Sequence, residues 1–118
     1  MTNADLDAPA RQDCCVVICS VPDHTTAMQI ANSLVQEKLA ACVNILPRVT
    51  SVYEWQDAIQ SDEESLLFIK TLTDRYPQLE SHLLSMHPYE LPEIIKVPIS
   101  GGSSAYLQWV AHSIGMTS

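Results

Sequence analysis

A chain of 118 residues, 47 % of them hydrophobic, is long enough for one domain with its own apolar core and needs no disulfide or metal staple. Fourteen acidic side chains against six Lys and Arg leave a formal charge of −8. That excludes the basic stripe nucleic acids demand and disfavours anionic membranes; such a surface confers solubility and, where it draws partners, draws cations.

The four cysteines, Cys14, Cys15, Cys19 and Cys42, contain no CxxC pair, and three of them share one apolar run. Residues 1–13 are polar and acidic where a signal peptide is basic and then apolar, and they read as a disordered arm before a folded domain at 14–118. No apolar run approaches the roughly 20 residues of a membrane span. The expectation is a cytoplasmic protein with reduced thiols.

In chain order, Cys14–Val21 is short, apolar and β-branched, the pattern of a buried strand. Pro22 stops it, and Asp23 is placed to cap a helix from His24 to about Lys38, with Ala27, Ile30, Ala31, Leu34 and Val35 on one face. Ala41–Trp55 returns to strand character; Pro47 interrupts it, which predicts a bulge close to a sheet edge. Gln56–Glu63 reads as the connection of a hairpin and Glu64–Thr73 as a third strand. Thr73 or Asp74 then caps a second helix with Pro77 in its first turn; Tyr76, Leu79, Leu83 and Met86 form its apolar face, and Pro88 ends it. Glu93–Ile99 is a fourth strand, Gly101 and Gly102 break the chain, Ser103 or Ser104 caps a third helix, and Gly115 closes it. The order β-α-β-β-α-β plus a helix is the α+β, ferredoxin-like split βαβ arrangement. Apolar residues at both parities of the strands predict a covered second sheet face, with a partner subunit as the simplest cover.

No phosphate loop, nucleophile elbow or dinucleotide fingerprint is present, so an enzyme is not expected. Glu90 and Glu93 near His87 and Tyr89 offer an acid/base pair or orient a loop. His82 and His87, five apart, do not share a helical face and make a poor zinc pair. His24 and His112 read as surface positions. Met86 and His87 at a helix end, joined by a strand thiol, make a soft set suited to Cu(I); the alternative is a core methionine and a helix-capping histidine. The run His87-Pro88-Tyr89-Glu90-Leu91-Pro92-Glu93 is an extended loop stiffened by two prolines, suited to a site or to subunit docking.

This run, HPYELPEII, resembles the CutA family of divalent-cation-tolerance proteins, and EKLAACVNILP at residues 37–47, SVYEW at 51–55, IKT at 69–71 and YLQW at 106–109 agree with it. The resemblance covers about Val16 to Ile114. It implies a ferredoxin-like subunit similar to the PII signalling proteins, a compact homotrimer, a cytoplasmic setting and a role in tolerance of copper and other divalent cations. It further implies copper ligands at Cys19, Met86 and His87, and an intersubunit cleft at Tyr53, Trp55, Glu64, Lys70, Tyr89 and Glu90. Met86 stands where the enteric-bacterial motif has histidine, which suits Cu(I) better than a divalent ion. Trp55-Gln56-Asp57-Ala58 lacks the family's Gly-Lys, so Ala58 supplies no cation for an anion at the hairpin. The rival implication is a PII-like module that binds a small metabolite or a partner protein in the cleft.

Overall fold

The run CCVVICSV forms β1 (Cys14–Val21) in the computed structural model, which describes residues 13–115; the expected arm lies outside the described residues but for Asp13. Pro22 ends β1, and the Asp23 carboxylate accepts from the Thr26 amide at 2.8 Å to start α1 (His24–Gln36). Lys38, at φ 61, turns the chain out of that helix. There follow β2 (Cys42–Trp55), β3 (Ala58–Leu72), a 3-10 turn at Thr73–Arg75, α2 (Tyr76–Met86), β4 (Ile94–Pro98) and α3 (Ser104–Ser113). The sheet order is β2-β3-β1-β4, all pairs antiparallel, the topology of the ferredoxin-like fold.

Two expectations are corrected. Gln56–Glu63 is no loop: only Gln56 and Asp57 turn, and β3 already begins at Ala58, paired with Trp55. Both turn residues are left-handed, φ 53 and 66, which is the two-residue hairpin geometry that matches strand twist. Neither Thr73 nor Asp74 caps α2 with a side chain; the 3-10 turn leads into the helix, and Pro77 sits where its missing N–H costs nothing. Ser103 caps α3, its hydroxyl accepting from the Tyr106 amide.

The main core lies between one sheet face and the α1–α2 layer. Cys15, Val17, Cys19 and Val21 of β1 alternate into it with Leu67 and Ile69 of β3, meeting Ile30, Leu34, Leu79 and Leu83. Each fully buried Leu or Ile there contributes about 1.5–3 kcal/mol. A second cluster packs α3 and its C-cap residue, through Val110 and Ile114, on Cys14, Ala41 and Leu72. The register places Ile18, Phe68 and Ile95 side by side on the opposite face, and Leu46, Ile95 and Val97 are exposed.

An aspartate held left-handed costs backbone energy that glycine does not incur, partly offset by glycine's freer unfolded chain. Asp57→Gly is therefore expected to stabilise the fold by about 0.5–1 kcal/mol, read as a higher denaturation midpoint at unchanged slope.

Candidate functional site

β2 is an edge strand, and Pro47 with Arg48 (φ 56) forms the expected bulge, two residues facing one between the pairs Leu46–Leu66 and Val49–Glu64. The extra residue changes the strand's parity. Before it Asn44 and Leu46 point to the face of Phe68 and Leu66; beyond it Ser51, Tyr53 and Trp55 point to that same face, alongside Asp62 and Glu64. The loop after α2 closes over this end of the sheet. The result is a cleft of about 620 Å³ lined chiefly by Ser20, Tyr53, Trp55, Asp62, Glu64, Tyr89, Glu90, Leu91 and Glu93.

Four of those side chains are carboxylates, and among the described residues no Lys, Arg or His lines the cleft. The Tyr89 hydroxyl donates to Glu64 Oε2 at 2.6 Å, and the Tyr53 hydroxyl donates to Asp62. Burial and then the Glu64 carboxylate push the Tyr89 phenol well above its ordinary value, and the Asp62 bond raises that of Tyr53. Ser20 donates to Glu93 Oε1 at 3.4 Å.

His87 ends α2 in an extended conformation, as a residue before proline must. It is 9 % exposed, and both ring nitrogens are used. Nε2 lies 2.7 Å from the Ser20 carbonyl, which only accepts; Nδ1 lies 3.1 Å from the Tyr89 amide, which only donates. The imidazole is therefore the neutral, Nε2-protonated tautomer. Cys19 is fully buried in the main core, its thiol pushed up to about 12 by burial first and by Glu93 and Glu64 next. Met86 packs against the same core.

Cys19 and Met86 thus belong to the main core and His87 bonds the carbonyl of Ser20, next to Cys19 in β1, but as folded the three do not fit a copper ion. The Cys19 side chain is wholly buried in the apolar core, and the imidazole has no lone pair to give without losing the Tyr89 amide. Among the described residues no three His, Cys, Asp or Glu side chains stand close enough to hold a metal ion.

Of the six expected cleft residues, Tyr53, Trp55, Glu64, Tyr89 and Glu90 come together and Lys70 does not. Its ammonium donates to Asn44 and lies 3.9 Å from Cys42 Sγ, six residues along β3 from Glu64, about 20 Å at strand rise. Ser20, Asp62 and Glu93 were not expected in the cleft; Asp62 shares the strand parity of Glu64, the one signal that points to it. His82 bonds Ser33 at 2.8 Å between the helices, and His24 and His112 are exposed. Cys14, Cys15, Cys19 and Cys42 form no disulfide.

A family model described as CutA1 divalent ion tolerance protein matches residues 15–113. The chain is similar to the divalent-cation tolerance protein CutA of Thermus thermophilus, 45 % identical over 100 residues that make up 85 % of this chain and 97 % of that protein. It is 50 % identical over 98 residues to the chloroplastic protein CutA of Arabidopsis thaliana, covering 83 % of this chain and 54 % of that one, so it spans about half the length of this relative. The crystal structure of CutA1 from Oryza sativa matches with a TM-score of 0.85 at 42 % identity, covering 87 % of this chain and 94 % of that one.

A thiol whose pKa is raised on folding lends stability that is complete below about pH 9 and is lost as pH climbs towards 12. At pH 8 Cys19 should react with iodoacetamide at least tenfold more slowly in the native protein than in urea, as read by peptide mass spectrometry.

Proposed function

The chain belongs to the CutA1 divalent ion tolerance family, and from that premise we propose that it serves divalent-cation tolerance as a non-catalytic cytoplasmic homotrimer whose acidic cleft holds hydrated cations. The observation that carries this reading is a cleft with four carboxylates and, among the described residues, no basic side chain. Asp62, Glu64, Glu90 and Glu93 are spread around it rather than gathered into a chelate. That arrangement suits an ion that keeps its water shell and is attracted through it, as small hard divalent cations do. Binding of this kind is weak and salt-sensitive, fit for buffering rather than storage. No helix among the described residues is long and apolar enough to cross a membrane.

The apolar sheet face that no described element fully covers supports the trimer. Ile18, Phe68 and Ile95 form an apolar surface with the carboxylate cleft at one end and Lys70 at the other. A head-to-tail contact between copies buries that surface, brings Lys70 towards the neighbouring cleft and closes into a ring. One ammonium against four carboxylates leaves the cleft anionic. The rings of Tyr53, Trp55 and Tyr89 favour a second reading: a PII-like module that takes a small cationic metabolite or a segment of a partner protein in the same cleft.

Copper at Cys19, Met86 and His87 is not part of this proposal, for the reasons of tautomer and burial given above.

Titration with Mn²⁺ at low salt, followed by electron paramagnetic resonance, is expected to give a Kd of about 10⁻⁴–10⁻³ M, weakened at least fivefold in Asp62→Asn/Glu64→Gln. Mn²⁺ that stays wholly free while Trp55 fluorescence answers an organic amine would move the assignment to the second reading. Native mass spectrometry should show a trimer for the parent chain and monomers for Phe68→Glu, which sets a charge in the middle of the apolar face.

A further inference from the structure

We propose that His87 is a positioning residue that fixes the wall of the cleft, and that it is not a metal ligand. The inference rests on the cleft as the functional site and adds how that site is held in shape. Two backbone groups from different parts of the chain meet on one imidazole. The Ser20 carbonyl of β1 accepts from Nε2–H at 2.7 Å, and the Tyr89 amide donates to Nδ1 at 3.1 Å. The two residues differ in role: Ser20 belongs to the sheet floor of the cleft, Tyr89 to the loop that overhangs it.

Bridging them sets the height of the loop above the floor. Tyr89 is held at its other end as well, where its hydroxyl donates to Glu64 Oε2 at 2.6 Å, and its ring lies 4.8 Å from the imidazole. The chain of contacts Ser20–His87–Tyr89–Glu64 therefore begins and ends on the sheet and crosses the loop in between. Pro88 keeps His87 out of the helical conformation, so the ring is delivered to the strand rather than to the end of α2.

A metal at His87 would have to displace one of these two partners. Taking Nδ1 leaves the Tyr89 N–H without an acceptor beside a largely buried ring, and taking Nε2 strips the Ser20 carbonyl. Cys19 and Met86 fit the same account, since both are packing groups of the core against which this bridge is built. A neutral imidazole with one donor and one acceptor face is the side chain that satisfies a carbonyl and an amide at once.

The test has a readout that needs no ligand. Hydrogen exchange by NMR should show a slow Tyr89 amide and an Nε2-protonated, neutral His87. His87→Ala should speed exchange at the Tyr89 amide at least tenfold, and His87→Asn, whose carboxamide can reach the Nδ1 position, should restore most of the protection. Cu(I), delivered to the reduced protein against bicinchoninate, should leave the His87 Nε2–H resonance in place. Its affinity should agree within threefold among the parent chain, Cys19→Ala and His87→Asn. Loss of that resonance on adding Cu(I), with affinity at least tenfold weaker in Cys19→Ala and His87→Asn, would overturn the proposal. So would an unchanged Tyr89 amide in His87→Ala. Failure of Mn²⁺ to bind would count against the cation reading alone, because the exchange measurement stands without it.

Discussion

One extra residue in an edge strand decides where the chemistry of this molecule sits. Side chains of a strand alternate between faces, so without the bulge at Pro47–Arg48 the aromatic residues Tyr53 and Trp55 would point away from Asp62 and Glu64. With it, the apolar half of β2 and the polar half present the same side of the sheet, and one surface carries both a hydrophobic patch and a carboxylate cleft. Proline is admissible there because it sits at the bulge and because, among the described residues, no strand pairs with the outer side of β2. The edge position, the bulge and the cleft are thus three aspects of a single backbone event.

Elements that bury a continuous or regularly spaced apolar set were legible from the residues. β1, α1 and the end of α2 fall where the hydrophobic pattern puts them, and Asp23 and Ser103 cap where their side chains can accept an amide. The outer half of the hairpin was not legible. Ala58–Glu63 is mostly polar and has no core beneath it, so its extended form comes from pairing with β2 rather than from burial, and its turn has no glycine to announce it. α2 hides its start for a related reason, since a 3-10 turn stands in for the side-chain cap that a sequence pattern can detect.

The site shows the same division. Motif resemblance pointed to five of the residues that line the cleft, but it could not say what His87 does. A histidine before Pro-Tyr reads alike whether it gives its lone pair to a metal or to an amide. The difference lies in the Ser20 carbonyl, 67 residues earlier in the chain, and in a loop geometry that only the folded backbone defines. Lys70 is the converse case, placed by resemblance with the cleft yet held far from it within one chain.

The distribution of sulfur and oxygen has a consequence for which ions this protein can meet. Cys14, Cys15 and Cys19 are inside the subunit, and Cys42 lies on the sheet face that a neighbouring copy would cover. Carboxylates, by contrast, crowd the outer hairpin and the cleft loop. Thiols are therefore largely inside and carboxylates outside, so the ligand groups this surface offers in number are the oxygens that suit hard cations. The carboxylates gather at one end of the sheet, so the negative charge that attracts cations is localised there. Selectivity of this kind needs no chelate; it is set by which side of each strand a side chain happens to face.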